Sequence, residues 1–186
     1  MTAYTFGESK DVVNGVRVSA QANWEWTQTI EANNPRLSYS NFDIRHRIIA
    51  NLTYDLAFAK RHKTTLGLFF IANSGTPFSY VYAGDLNRDA SSNNDLIYVP
   101  RDASEINLVN IVESNGNIIS AAEQWTQLDA YISSDDYLNS KRGEVTERNG
   151  GRTPWNIQLD MHFGQEYSLK GKKRDHKIEL TADVFN

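Results

Sequence analysis

Apolar and polar residues alternate strictly over unusually long stretches of this chain. From residue 43 onward one face reads Ile44, His46, Ile48, Ala50, Leu52, Tyr54, Leu56 and Phe58. The other reads Asp43, Arg45, Arg47, Ile49, Asn51, Thr53, Asp55 and Ala57. A period of two predicts a β-strand with one apolar and one polar face. The pattern returns from residue 153, where Trp155, Ile157, Leu159, Met161 and Phe163 oppose Asn156, Gln158, Asp160 and His162. It returns again at the end, where Ile178, Leu180, Ala182 and Val184 oppose Lys177, Glu179, Thr181 and Asp183. Residues 64–82 are strand-like as well, but apolar on both sides around residues 66–71, so their facing is open.

The connections alternate in length. Ala59, Lys60, Arg61, His62 and Lys63 make one short turn, and residues 168–176, rich in Lys and Gly, make another. Between the strands ending near Tyr82 and starting at Thr153 lie about seventy residues, and residues 8–41 form a second long, irregular, Asn- and Ser-rich stretch. Loops of such length usually carry function.

Alternation alone fits a soluble β-sandwich as well as a membrane barrel. Three features favour the barrel. The patterned run over residues 43–58 exceeds the roughly 3–10 residues of most globular strands. Short and long connections alternate as periplasmic turns and extracellular loops do. Trp155 and Phe163 bracket an aliphatic row whose tilted length, roughly 20 Å, is close to the ~25 Å apolar band between aromatic girdles.

Composition changes this picture little. The 186 residues are 40% hydrophobic and 23% charged, with a mean hydropathy of −0.55; a barrel tolerates such values because only alternate strand residues face lipid. No run approaches the roughly 18 apolar residues of a membrane-spanning helix. The absence of cysteine excludes disulfide scaffolds, thiol catalysis and cysteine-held metal. Residues 1–7 lack the basic start and apolar stretch of a signal peptide, and residues 178–186 read as a strand still in progress, so a fragment of a longer chain, with any export signal outside it, is expected. The net charge of −4 hides an asymmetry: residues 84–152 hold twelve acidic and six basic side chains. Nucleic acid is therefore not an expected partner, and this long connection is where cations would be attracted.

Candidate chemistry is sparse. Asp85, Asn87 and Asp89, followed by Asn93, Asn94 and Asp95, place oxygen ligands as an EF-hand loop begins. The match then fails at Ala90, where Gly is expected, and at Leu96, where a bidentate Glu belongs. A calcium site using Asp85, Asn87, Asp89 and Asp95 is one reading; an Asx-rich turn capping its own backbone is the other. Arg45 and Arg47, at a strand mouth, suit either an anionic substrate group or structural ion pairs. Trp24 and Trp26 suit either stacking on a substrate or packing against neighbouring loops. His46, in the apolar register near the rim, reads as an interfacial residue rather than a ligand. Lys170, Lys172, Lys173 and Arg174 read as a basic hairpin turn. The four histidines stand singly, and no nucleophile elbow, phosphate loop or dinucleotide fingerprint occurs, so no enzyme is expected.

Four stretches resemble TonB-dependent outer-membrane receptors of the Oar-like and SusC-like kind. They are residues 4–11 (YTFGESKD), 38–47 (SYSNFDIRHR), 74–79 with 85–89 (SGTPFS, DLNRD), and 93–100 (NNDLIYVP). Their order and spacing look like the later third of such a barrel, and the likeness covers nearly the whole chain. The resemblance implies an all-β fold: an antiparallel transmembrane segment of a roughly 22-stranded, plugged barrel with long extracellular loops. Residues 1–186 would be one partial barrel domain in the outer membrane of a Gram-negative bacterium, with plug and energy-coupling box elsewhere. It further implies TonB-dependent uptake of a peptide or protein fragment, a glycan or a metal chelate. Its partners would be outer-membrane lipid, a periplasmic TonB-type coupling protein and a surface lipoprotein. The rival reading is a surface adhesin or carbohydrate-binding β-sandwich without transport; an outer-membrane structural or assembly barrel is third.

Overall fold

The computed structural model describes every residue of the chain except Lys60 and Lys173, so those two turn residues of the sequence reading lie outside the described ones. The chain divides into two compact units. The first comprises Met1–Glu8, Asp43–Thr76 and Thr153–Asn186. It is a five-stranded antiparallel sheet of β1 (Thr2–Phe6), β2 (His46–Ala59), β3 (His62–Asn73), β4 (Asn156–Leu169) and β5 (His176–Val184), in chain order across the sheet. The length anomaly predicted a spanning strand, and β2 and β4 have 14 residues each. At ~3.3 Å per residue, tilted by about 40° from a barrel axis, such a strand reaches roughly 35 Å along that axis, more than the ~25 Å apolar band of a membrane barrel.

Strand register settles the facing of residues 64–73 of the expected 64–82 strand. Leu52 lies opposite Leu68 and Tyr54 opposite Leu66; across the next ladder Leu159 lies opposite Phe70 and Met161 opposite Leu68. Directly paired residues share a face, so Leu66, Leu68 and Phe70 join the apolar side. Phe69 and Ile71 fall on the polar side, with Asn51 and Asp160. This strand ends at Asn73, well before Tyr82. Pro77 has no amide proton to extend the ladder, and Gly75 passes so close to Thr153 that an added Cβ would sit 1.6 Å from its carbonyl oxygen.

Among the described residues none covers the apolar face of the sheet. Leu52, Leu68, Leu159, Met161 and Leu180 keep between 40% and 61% of their surface exposed. A sandwich would bury this row under a second sheet. At one end of the row His46 stacks with Tyr4 and Trp155 and tilts against Phe6, ring centres 5.3–6.1 Å apart, and Tyr4 Oη lies 2.8 Å from His46 Nδ1. On the polar face, register brings His162 beside Asp183, 2.6 Å apart. Because all four ladders are antiparallel, the two long connections leave the sheet at one end and the two short turns at the other.

The second unit comprises Ser9–Phe42 and Pro77–Arg152, the two stretches that alternation left as loops. They contain structure with a core of their own. Helix α1 (Ala20–Glu25) lies in the first stretch; α2 (Ala121–Ser134) and α3 (Asp136–Ser140) lie in the second. Ser120 caps α2, its hydroxyl accepting from the Glu123 amide at 3.2 Å, a hydrogen bond that satisfies one of the helix's free N–H groups. Ile132 and Leu138 pack with Val99 into a small core, each at most 2% exposed, and Tyr80, Ile97, Leu128 and Tyr137 close around it. No helix among the described residues is long and apolar enough to cross a membrane.

Candidate functional site

The acidic motif forms a tight turn within the second unit. Asp85 accepts from the amides of Asp89 and Ala90, both at 3.0 Å, and Asn87 Oδ1 accepts from the Asp89 amide at 2.9 Å. Asp89 accepts from the Ser91 amide and from Asn94 Nδ2, each at 2.9 Å. Asp95 accepts from the amides of Leu86 and Asn87 at 2.6 and 3.2 Å. Desolvation pushes the Asp89 carboxyl up, but the bonds from Asn94, Ser91 and Asn87 outweigh it and hold it below the ordinary carboxylate value. These bonds also hold Arg88 and Ala90 at φ 63° and 71°, a left-handed conformation that non-glycine residues adopt only when their surroundings impose it.

All four calcium candidates thus meet in one turn, each giving an oxygen to the main chain. Calcium takes roughly six to eight oxygens, so an ion here would use the remaining lone pairs. Among the described residues no three acidic or histidine side chains converge as a metal site. We therefore expect residues 84–95 to resist protease as well in chelator as in millimolar calcium; protection that appears only with calcium would give those lone pairs to the ion.

The turn is fastened to the segment carrying Trp24 and Trp26. Ser91 Oγ donates to the Glu25 carbonyl at 2.6 Å, and the Thr29 amide donates to the Asn94 carbonyl at 3.0 Å. Asn94 is fully buried and Asp95 nearly so. Trp24 and Trp26 are 39% and 51% exposed, and Trp26 carries the Arg17 guanidinium 5.4 Å above its ring. Both long stretches therefore meet in one body that alternation alone did not reveal.

A second fastening lies at Arg148, which is 2% exposed. Its Nη2 donates to Asp11 Oδ1 at 2.7 Å and also to the Asp11 carbonyl. The next residue, Asn149, donates through Nδ2 to the Tyr39 carbonyl at 2.6 Å and to Asn41 Oδ1 at 2.7 Å. Its φ of 58° turns the chain into Gly150 and Gly151. A Cβ at Gly150 would lie 2.0 Å from the Tyr137 hydroxyl, and one at Gly151 2.7 Å from the Phe78 ring. Nearby, Tyr80 donates to Asp135, whose other oxygen caps α3 at the Leu138 amide. Burial first, and the Asp135 carboxylate second, push the Tyr80 hydroxyl well above the ordinary tyrosine value.

Arg45 and Arg47 belong to the sheet unit. Arg45 Nε lies 3.4 Å from Asp43 Oδ2, and Asp43 is 1% exposed. Arg47 shares the polar face with Thr5 and Asn73.

Compared with known families, residues 1–186 match in full a family described as outer membrane beta barrel domain. The chain belongs to that family. No curated protein and no solved structure matches it. The outer membrane beta barrel domain accounts for the bare apolar face, since in a membrane lipid takes the place of a second protein layer. It also places the chain in the outer membrane.

Proposed function

We propose that this outer membrane beta barrel domain is part of the wall of a TonB-dependent uptake receptor, a plugged barrel of roughly 22 strands. Substrate would bind the long loops on the outside, and work delivered by a periplasmic TonB-type coupling protein would open a path through the lumen. Ile48, Leu52, Leu159, Met161 and Leu180 face lipid; Asn51, Asp160 and Glu179 face the lumen. The observation that carries this reading is the loop body itself. Both long connections leave one end of the sheet and fold together, whereas the other end has only short turns. A wall built only for structure has no use for over a hundred residues of organised loop. Peptides or protein fragments, glycans and metal chelates are the substrate classes in question, and a surface lipoprotein is a proposed partner over the loops. Calcium on the free lone pairs of the acidic turn is the alternative that the chelator comparison above tests.

Two measurements on living cells test it. Labelled peptides, glycans and metal chelates are offered to wild-type cells, to cells lacking this protein and to cells lacking the coupling protein. We expect the two deletions to abolish uptake of the same compound; passage that persists without the coupling protein would overturn active transport. With single cysteines introduced at Ser114 and His62, an impermeant thiol reagent should label the first alone. The opposite labelling would reverse the orientation.

A further inference from the structure

The loop unit contains a half-enclosed cavity of about 560 Å³, within the roughly 300–1,000 Å³ typical of small-ligand sites. Its floor is the apolar core of Val99, Ile132 and Leu138. Ile97 and Leu128 form its sides, and Leu86, 66% exposed, stands at its rim. Few polar groups line it, so water inside makes few hydrogen bonds and an apolar group displaces it favourably. Tyr82, Tyr98, Asn107 and Tyr131 are its polar side chains. The Tyr82 hydroxyl accepts from the Tyr98 amide at 3.3 Å, which leaves its own proton to donate.

The rim has a definite charge. Leu86 belongs to the acidic turn, and its amide is bound by Asp95. Asp85, Asp89 and Asp95 receive only neutral N–H groups. None of them has an ion pair among the described residues. The connection that contains them carries twice as many acidic as basic side chains. Apolar walls thus meet at Leu86 a turn of net negative charge, Asp85, Asp89 and Asp95 against Arg88.

We propose that this cavity binds a peptide segment in which an apolar side chain neighbours a lysine or arginine. The apolar side chain enters over Leu128 toward Ile132, a peptide carbonyl accepts from Tyr82, and the cationic group stays outside against the acidic turn. Access from the cell exterior rests on the uptake reading; the cavity's preference does not. Hydrophobic contact supplies the anchor, and charge selects the sign of the neighbour.

The test is calorimetric titration of the whole outer-membrane protein in detergent-free nanodiscs with the amidated peptide Lys-Leu-Phe-Leu-Lys. Analogues carry Ser for the apolar residues or Glu for the lysines. We expect the Ser and Glu analogues each to lose about tenfold or more in affinity. Leu128→Trp, which fills the cavity, should lose about as much. Leu86→Ser, at an exposed position that cannot unfold the core, should weaken binding by roughly threefold to tenfold. Asp85→Asn should flatten the salt dependence. Equal binding of the Lys and Glu peptides, or binding indifferent to both Leu128→Trp and Leu86→Ser, overturns the proposal. Selective binding in nanodiscs that is absent on intact cells supports the cavity and overturns the outward orientation of the uptake reading.

Discussion

Arginine in place of Leu159 is expected to destabilise the barrel by about 2–4 kcal/mol, whereas arginine in place of Gln158 is expected to be mild. The two positions are adjacent in one strand but face opposite ways. Leu159 lies opposite Phe70 and Gln158 opposite Ile71. Leu159 belongs to the row with Ile157, Met161 and Phe163, which stays 40–58% exposed because no protein layer covers it. A guanidinium there would have to leave water for hydrocarbon or drag water in with it. On the other face Gln158 already lies against a carboxylate, its amide 3.1 Å from Asp160. Denaturant unfolding of the two variants in lipid vesicles separates them; equal tolerance would mean that the row does not meet lipid.

Arg148→Met should loosen the loop unit by about 3 kcal/mol, at the lower end for a broken buried ion pair. The buried guanidinium would be replaced by a side chain of similar length, so lost volume is a minor contribution. What remains is the Asp11 carboxylate, 27% exposed, with its strongest donor gone; partial access to water keeps the effect from the upper end. Asp11→Asn keeps an oxygen acceptor but leaves the 2%-exposed guanidinium without its counter-charge, so it should cost at least as much. Hydrogen exchange locates the effect. Amides of residues 9–42 and 77–152 should lose protection while those of the five long strands keep theirs. Loss spread evenly over strands and loops would show that Arg148 does not act as a local fastening.

The strands were legible in the sequence because a face-by-face alternation needs no knowledge of partners. Residues 46–58 and 156–163 carry it plainly. Residues 66–71 do not, since Phe69 and Ile71 are as apolar as Leu68 and Phe70; only pairing with Asn51 and Asp160 on one side and Leu52 and Met161 on the other assigns them. Helix α2 has a signature that β-type alternation does not detect. Ser120 followed by Glu123, then Trp125, Leu128 and Ile132, is a capping box leading into a helical stripe. The acidic turn was found by motif, but its use as a set of main-chain acceptors depends on φ angles that no residue list contains. Arg148 with Asp11 was beyond reach, because 137 positions separate them and neither residue signals the other.

Residues 43–76 separate the two stretches that build the loop body. A graft that exchanged only residues 77–152 with those of a related barrel would arrive holding Arg148, Asn149 and Ser91 but not the Asp11, Tyr39 and Glu25 groups that receive their hydrogen bonds. Recombination across this region should therefore yield working hybrids only when both stretches travel together, and the pair of loops is the smallest portable piece of this surface.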